Sequence, residues 1–237
     1  MSRTPPPPAR PVPPTDSGSG GGLRERKKQR TYQAISDAAI ALFLEKGFEK
    51  VSVAEVAAAA EISKPTLFRY FPAKEDLVLH RLADHEDESS RVVAARPGQQ
   101  SPLDALRRHF LAGLRRRDPV TGLSDEPEVL AFHRLVYGTP SLVARLYAYQ
   151  SRTEEHLAGA LAEAREGAQG GDADQANPAD PGARLAAGQI VAVQRVLAEA
   201  NWRRIAAGES AAAIYPDAVD AAELGFGQLR SGLGTYA

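Results

Sequence analysis

The chain has 237 residues, a formal net charge of −1 and 43% apolar residues, which predicts a globular protein of one large or two small domains. The absence of cysteine excludes disulfides, thiolate metal sites and cysteine nucleophiles. The longest apolar runs, such as 38–44, are too short to span a bilayer, and the proline-rich N-terminus lacks an apolar signal segment. We therefore expect a cytoplasmic protein.

The charges are unevenly distributed along the chain. Residues 1–82 carry 13 Lys and Arg against 9 Asp and Glu, whereas the remainder carries 16 against 21. A basic N-terminal part followed by an acidic C-terminal part is expected of a protein that docks one end on phosphate. An incidental basic tail would give the same asymmetry, so charge leaves both interpretations open.

The first predicted elements are a tail and a long helix. Residues 1–22 are rich in Pro, Gly and Ser, which predicts a disordered tail. The next segment predicts a helix from Arg24 to Lys46 with Gly47 as its C-terminal cap, because its apolar residues recur at helical spacing. These residues are Ile35, Ala38, Ala39, Leu42 and Phe43.

Two short helices follow. The first is predicted from Val53 to about Ala60, because Ser52 and Glu55 form a Ser-x-x-Glu capping box. Ser63 can cap the second, which a proline ends after about two turns. Two short helices separated by a tight turn are the layout of a helix-turn-helix, whose second helix enters the major groove of DNA.

The rest of the chain remains helical in pattern, and no alternating apolar pattern predicts a strand. The segment 167–182 combines Gly, Asp, Asn and Pro without an apolar anchor, which predicts a mobile loop. The sequence therefore predicts an all-α protein of about nine helices. The later helices are expected at roughly 74–95, 102–117, 125–137, 140–167, 182–207 and 211–231.

The second short helix carries the candidate DNA contacts. Leu67 and Phe71 are expected to turn inward and to leave basic, hydroxyl and aromatic side chains exposed. Arg69 is suited to guanine, and Thr66 suits a base edge or a thymine methyl group. Phosphate contacts are expected from Ser52 and Thr31, each at the start of a helix, and from Tyr70 and Lys74. An ordinary helical hairpin with solvated charges is the competing interpretation. The candidate contacts are Thr31, Ser52, Ser63, Lys64, Thr66, Phe68, Arg69, Tyr70 and Lys74.

Residues 27–80 resemble the TetR (tetracycline-repressor-like) family of bacterial transcription regulators. This resemblance implies an all-α homodimer with a three-helix DNA-binding head (23–82), a ligand-binding and dimerisation body (83–237), and a fourth helix that joins them. The resemblance rests on the patterns Arg30-Thr31-x-x-x-Ile35-x-x-Ala38-Ala39-x-x-Leu42-Phe43-x-x-x-Gly47-Phe48 and Ser52-Val53-x-x-Val56-Ala57-x-x-Ala60-x-Ile62-Ser63-Lys64-x-Thr66-Leu67-Phe68-x-Tyr70-Phe71-x-x-Lys74-x-x-Leu77.

Two positions depart from the family pattern. Glu61 stands where the turn usually has glycine, and a non-glycine residue in a left-handed conformation costs on the order of 1 kcal/mol. Ala73 stands where a capping residue is common, which predicts a weaker start for the fourth helix. Neither departure removes a candidate DNA contact.

The last two predicted helices carry broad apolar faces, which are typical of a helix seam. With the family resemblance, they are expected to pair with their copies in a second subunit, although packing within one subunit would give the same pattern. The candidate interface residues are Val193, Leu197, Val219, Ala222, Phe226 and Leu229.

The middle helices carry candidate residues for a small-molecule pocket, which requires an apolar cavity with a few polar anchors. Taken alone, each of these residues is more often an ordinary core or surface residue. No pair of the five histidines has convincing ligand spacing, so no metal or other cofactor is expected. The candidate pocket residues are Phe110, Phe132, His133, Tyr137, Tyr147, Gln150 and Trp202.

Together these features predict a nucleoid-associated transcriptional regulator, a repressor that a small molecule releases from a palindromic DNA operator. Its expected partners are operator DNA, a second copy of the chain and an unidentified small molecule, with no membrane. A helical interaction module, or an activator without a ligand response, is the alternative. An enzyme is not expected, because the chain lacks a phosphate loop, a dinucleotide fingerprint and hydrolase motifs.

Overall fold

The computed structural model describes residues 20–168 and 180–232, which form ten α-helices and no strand. The predicted all-α class is confirmed. Two 3-10 segments, His80–His85 and Pro119–Thr121, interrupt the order. The helices are α1 (Gly20–Lys46), α2 (Val53–Ala59), α3 (Lys64–Tyr70), α4 (Asp76–Leu79), α5 (Glu88–Ala94), α6 (Pro102–Arg116), α7 (Pro127–Gly138), α8 (Pro140–Ala168), α9 (Pro181–Ala206) and α10 (Ala211–Ser231).

The predicted helix bounds agree with most of this structure. The bounds of α2, α3 and α6 to α10 lie within two residues of those expected. Helix α1 begins at Gly20 rather than near Arg24, so it includes the last three residues of the predicted tail. The rest of that tail, 1–19, and the centre of the predicted loop, 169–179, lie outside the described residues.

The prediction of one continuous helix over 74–95 is wrong. Instead, the short α4 passes into the 3-10 segment, and α5 begins only at Glu88. Tertiary contacts explain the interruption, because the Leu82 carbonyl accepts a hydrogen bond from the Tyr149 hydroxyl of α8. The neighbouring Glu86 carboxylate lies 2.7 Å from the Arg152 guanidinium of the same helix. These partners hold the linking segment against α8 in a non-α conformation.

Local capping determines the geometry of α2 and α3. The capping box is confirmed: the Glu55 amide donates to the Ser52 hydroxyl at 3.2 Å, and the Ser52 amide donates to the Glu55 carboxylate at 2.8 Å. Ser63 accepts from the Thr66 amide at 3.2 Å. The turn between the two helices holds Glu61 at φ 55, the left-handed conformation expected there.

The fourth helix begins with little help from its own cap, as predicted. Glu75 at the N-cap makes no side-chain capping bond. The Asp76 carboxylate instead accepts a hydrogen bond from the Ala73 amide at 3.0 Å. Asp76 also forms a two-bond ion pair with Arg145 of α8, at 2.8 and 3.1 Å. The start of α4 is therefore fastened to α8 as well as to its own turn.

The buried residues form two hydrophobic cores. The first, here called the head core, lies among α1 to α4 and contains large side chains such as Phe43 and Leu67. It also includes Phe132 and Val136 of α7 and Leu142 of α8. The second, the body core, lies among α5, α6, α8, α9 and α10. Residues from beyond 82 thus complete the core of the predicted DNA-binding head.

Half of the predicted dimer interface lies inside the subunit. Helices α9 and α10 pack against each other so closely that a Cβ at Gly225 would lie 2.9 Å from Val193. The apolar seam read from the sequence therefore makes contacts within the subunit, and its pairing with a second copy stays a prediction. Leu197, Ala222 and Phe226 are buried in the body core, and Val193, Val219 and Leu229 are half-buried against it. Within the described residues, no helix is long and apolar enough to cross a membrane.

Candidate DNA-binding surface and ligand cavity

Helix α3 presents a small exposed surface. Leu67 and Phe71 are buried, as predicted, and fix which face of α3 points outward. Lys64, Phe68 and Arg69 are exposed, with Phe68 42% accessible. The Lys64 ammonium lies 5.9 Å from the centre of the Phe68 ring, so the cation and the aromatic ring form one patch.

Two predicted members of this surface are only half-exposed. Tyr70 packs edge-on against Tyr32 of α1, with ring centres 4.8 Å apart, so it supports α3 from behind. Thr66 shares a hydrogen bond with the Ser63 hydroxyl at 2.8 Å, next to the cap of the helix. They are less exposed than predicted, because Tyr70 packs against α1 and Thr66 bonds to the cap of its own helix. Their contact with DNA stays a prediction.

The predicted phosphate contacts occupy different settings. Thr31 is not at a helix start but eleven residues into α1, where its hydroxyl donates to the Lys27 carbonyl at 3.0 Å. Ser52 does sit exposed at the start of α2, with its hydroxyl donating to Glu55 at 2.9 Å. Hydrogen bonds to Ser52 hold the pKa of Glu55 below its usual value.

Lys74 is held against the head core rather than extended from the surface. Its ammonium donates to the Phe48 carbonyl at 2.5 Å and lies 4.3 Å from the centre of the Phe48 ring. In this position it links the start of α4 to the loop after α1. Sequence reasoning assigned it to phosphate because it could not place Phe48 beside it.

A basic stretch of α1 continues beyond this surface. Residues 26–30 are all exposed and include four cations, Arg26, Lys27, Lys28 and Arg30. The Lys28 ammonium lies 5.9 Å from the Tyr32 ring, which itself contacts α3. This arrangement places the basic end of α1 next to the C-terminal end of α3.

A cavity of about 400 Å³ lies within the helical body. It is bounded by residues from the linking 3-10 segment and from α5, α6, α7, α8 and α9. Six of the seven predicted pocket residues line it: Phe110, Phe132, His133, Tyr137, Gln150 and Trp202. This volume lies in the range of small-molecule sites, about 300–1,000 Å³.

Tyr147 was wrongly predicted as part of this pocket. Its side chain is 58% exposed and does not line the cavity. The cavity-lining positions of α8 are Leu146, Tyr149, Gln150 and Thr153, which recur at helical spacing. Tyr147 lies off this stripe and points to solvent.

Aromatic rings form one wall of the cavity. The rings of Tyr137 and Trp202 are 4.7 Å apart at an angle of 33°, and His133 meets Trp202 edge-on at 6.2 Å. Trp202 Nε1 and His133 Nδ1 are buried and have no hydrogen-bond partner among the described residues. Burial lowers the pKa of His133 to about 4, and it raises the pKa of Tyr137.

A polar cluster that sequence reasoning missed forms another wall. The Glu88 carboxylate lies 2.8 Å from His85 Nδ1 and 3.0 Å from His109 Nε2. Hydrogen bonds from His109 and then His85 hold the pKa of Glu88 well below its usual range. The three-residue spacing of His85 and Glu88 was visible in the sequence, but His109 is brought in by the packing of α6. No three metal-binding side chains in the described part are placed to hold an ion.

The cavity and the head core share side chains. Phe132 and Val136 line the cavity and also belong to the head core. The Arg81 guanidinium, at the linking segment, lies 5.5 Å from the Phe132 ring centre. Helix α7 therefore lines the cavity with the same residues that complete the packing of the head core.

An exposed second helix in a helix-turn-helix, joined to a helical body, defines a DNA-binding transcriptional regulator of bacterial type. Residues 35–80 match the sequence model of the family described as bacterial regulatory proteins, tetR family. The chain belongs to the tetR family, and the resemblance read from the sequence is confirmed.

Two curated relatives cover much of the chain. It is 35% identical over 150 residues to the HTH-type transcriptional regulator TcmR of Streptomyces glaucescens, which covers 63% of this chain and 66% of TcmR. It is 30% identical over 135 residues to the transcriptional regulator MftR of Mycobacterium tuberculosis, which covers 53% of this chain and 68% of MftR. The chain thus spans about two thirds of the length of each relative.

A solved structure shares the fold. NalD of Pseudomonas aeruginosa, described as the secondary repressor of the MexAB-OprM multidrug efflux pump, superposes with a TM-score of 0.52. The match covers 84% of this chain and 97% of NalD at 19% sequence identity. At that identity the likeness concerns the fold alone.

Proposed function

We propose that this regulator is a homodimeric repressor that leaves a palindromic operator when a small molecule fills the cavity. Residues 23–82 act as the DNA-binding head and 83–237 as the ligand-binding and dimerisation body. The observation that carries the proposal is the shared packing of Phe132 and Val136, which line the cavity and complete the head core. A ligand that moves α7 must therefore alter the support of the head.

The coupling follows from a difference in affinity between two states. A ligand shifts a conformational equilibrium only as far as it binds one state better than the other. An occupied cavity favours positions of α7 and of the linking segment that accommodate the ligand. Because a close-packed core deforms little, the head moves with them. In a dimer, such a movement changes the distance between the two α3 helices.

The DNA side of the proposal depends on α3. A helix-turn-helix dimer places two recognition helices about one helical turn of DNA apart, roughly 34–36 Å, and so reads a palindrome. Exposed Arg69 is the candidate for a guanine contact, with Lys64 and Phe68 beside it. Ser52 remains the candidate for a phosphate contact at the start of α2.

The dimer side depends on apolar residues that the subunit does not bury. Leu185, Val196 and Leu224 are 67%, 54% and 65% exposed on α9 and α10. Large exposed apolar side chains on two packed helices are typical of an interface. We therefore assign the interface to the exposed sides of α9 and α10 that carry these residues, in place of the buried residues Leu197, Ala222 and Phe226.

Operator binding is tested by gel shift and footprinting on the DNA that flanks the gene. We expect a protected palindrome, nanomolar affinity, and an affinity that falls steeply with salt because phosphate contacts release counterions. Binding that is equally tight on every sequence, or insensitive to salt, would contradict the proposal.

Arg69→Ala tests the recognition surface. Loss of a bidentate contact to guanine should cost about 1–3 kcal/mol at one base pair and relax the preference there. Arg134→Ala, an exposed arginine on α7, is the matched control and should leave the base preference unchanged. The assignment of α3 fails if both variants read the operator as the parent does.

The coupling can be tested before the ligand is known. Thr153→Trp places a large ring at a cavity-lining position of α8, whereas Tyr147→Trp places one outside the cavity on the same helix. Allosteric coupling is typically 5- to 150-fold, so we expect the first variant to lose operator affinity within about that range. The second should bind as the parent does. If a folded Thr153→Trp variant kept the operator affinity of the parent, filling the cavity would not affect DNA binding and the proposed coupling would be wrong.

A further inference from the structure

Two buried nitrogen atoms at the aromatic wall lack a partner. Trp202 Nε1 and His133 Nδ1 make no hydrogen bond within the described residues, although both side chains line the cavity. An indole N–H can only donate, and an imidazole nitrogen can donate or accept. Leaving such a group buried and unpaired is unfavourable, because it has lost its hydrogen bonds to water. A bound molecule with an acceptor atom, once the rings turn towards it, would recover part of this cost.

The shape of the same wall favours a flat molecule. Tyr137 and Trp202 lie 4.7 Å apart at a shallow angle of 33°, and His133 closes the end of the pair. Aromatic side chains prefer offset-stacked and edge-on partners, and each such pair is stabilising beyond the apolar area that it buries. An aromatic ligand can make both contacts, whereas a flexible aliphatic chain makes neither.

The charges around the cavity favour a neutral molecule. Glu88 is paired with His85 and His109, and Arg195 lies 3.5 Å from Glu199. Of the other charged residues that line the cavity, Asp118 lies 3.5 Å from Arg116. Arg81 and Glu128 are exposed to solvent and do not belong to the aromatic wall. His133 is uncharged at neutral pH, because burial lowers its pKa to about 4. A charged ligand would enter without an unpaired counter-charge at the aromatic wall, and burying an unpaired charge is costly.

We infer that the cavity takes a neutral, planar aromatic molecule whose carbonyl or ether oxygen accepts hydrogen bonds from Trp202 Nε1 and His133 Nδ1. This chemistry rests on the proposed function only in treating the cavity as the ligand site. The ligand oxygen would supply the acceptor that the described residues do not provide for these two nitrogens. Phe132, next to His133 in α7, packs into the head core.

Three matched probes test this inference on the full-length dimer. 9-Fluorenone is neutral and planar and carries a carbonyl oxygen, fluorene has the same rings without an acceptor, and fluorene-9-carboxylate carries a charge. Equilibrium dialysis measures each dissociation constant. Trp202 is the only tryptophan of the chain, so quenching of its emission, excited at the red edge and corrected for inner-filter absorption, reports occupation of this wall.

We expect fluorenone to bind more tightly than fluorene, by roughly 3- to 10-fold for each net hydrogen bond that its oxygen accepts. Trp202→Phe keeps a ring and removes one of the two donors, so it should reduce this preference while fluorene binding is retained. His133→Phe should reduce the preference. Tyr147→Phe, outside the cavity, should change neither dissociation constant. Cooperative thermal unfolding verifies that each variant is folded.

The inference is overturned if fluorene binds as tightly as fluorenone, if the carboxylate binds most tightly, or if no probe binds and Trp202 is not quenched. It is also overturned if a folded Trp202→Phe variant keeps the preference. The operator assay is scored separately. Acceptor-dependent probe binding without release of DNA would refute the proposed release mechanism and leave the ligand class intact.

Discussion

The head and the body are both built from α-helices, but the head is closely packed whereas the body surrounds a cavity. In the head, short helices are capped and lie on a core of large side chains such as Phe43 and Leu67. The body encloses a cavity of about 400 Å³. Four buried side-chain atoms of the described chain have no partner, and all belong to residues beyond the head: Arg107 Nε, His133 Nδ1, Ser141 Oγ and Trp202 Nε1.

This difference shows how one chain can combine a rigid head with an adjustable body. A close-packed unit whose polar groups are all hydrogen-bonded has one low-energy geometry. A unit with a cavity and unpaired polar groups can instead be stabilised further by a bound molecule. The two regions are nevertheless not independent. Phe132 and Val136 belong to the packing of the first and to the cavity of the second. Four substitutions test how sharp the contrast is.

The largest expected effect comes from Gly122→Ala. This substitution tests whether the body is loosely packed throughout or only at its cavity. Gly122 has φ 71, and a Cβ there would lie 1.9 Å from the Ala198 carbonyl oxygen. We expect a loss on the order of 4 kcal/mol or more in the free energy of unfolding, measured with urea. Gly159→Ala, in the middle of α8 with open space around it, should be neutral or stabilising. A small cost for Gly122→Ala would mean that the body backbone yields easily.

Glu88→Gln tests the polar wall of the cavity. Its carboxylate is held by two histidines, so loss of the charge should cost about 1–3 kcal/mol at neutral pH. Because the folded pKa of Glu88 is depressed, the ionised group stabilises the fold fully above its ordinary value of 4.5. That contribution is lost progressively as pH falls below 4.5 towards the folded value.

The pH dependence of the free energy of unfolding shows whether the charge of Glu88 is responsible. The stability difference between parent and Glu88→Gln should narrow below pH 4.5 in urea titrations at several pH values. Glu163→Gln, an exposed residue of α8, should show no such trend. A difference that is constant across the acid range would mean that Glu88 acts through its shape and not its charge.

Ser52→Ala compares capping in the two regions. It removes the acceptor of the Glu55 amide, and loss of an N-cap typically costs about 1 kcal/mol. Ser101→Ala removes the equivalent bond to the Asp104 amide in the body and should cost about the same. Ser52→Gly should cost only a few tenths of a kcal/mol. Unequal costs for the two alanine variants, measured by thermal unfolding, would show that capping depends on the region around it.

Glu61→Gly should have the smallest effect. Glu61 and Arg117 are the two non-glycine residues with positive φ in the described chain, one in each region. Glycine relieves the left-handed conformation but has more freedom when unfolded, so we expect a net gain of about 0.5 kcal/mol. Arg117→Gly should gain less, because it also loses the ion pair to Asp125 at 3.4 Å. A loss for Glu61→Gly would show that its side chain has a role in the turn.

Six of the seven pocket residues predicted from the sequence line the cavity, and part of the candidate DNA-binding surface was also predicted, but the polar wall of the cavity was missed. Capping residues and apolar spacing act within about four residues, so Ser52, Ser63 and the buried Leu67 were identified without a structure. Lys74 and Tyr70 were misplaced because their contacts, Phe48 and Tyr32, come from α1 and the loop after it. The residue types of the pocket were predicted, but the side of α8 that faces the cavity was not, so Tyr147 was wrongly included.

The sequence by itself determined the helices, their caps, the left-handed turn at Glu61 and the family, because these depend on neighbouring residues and on a local motif. The tertiary structure alone decided where the linking helix breaks, which apolar face of α9 and α10 remains exposed, and that His109 meets Glu88. Each of these depends on helices far apart in the chain. Partners such as Tyr149 for Leu82 exist only once those helices have packed.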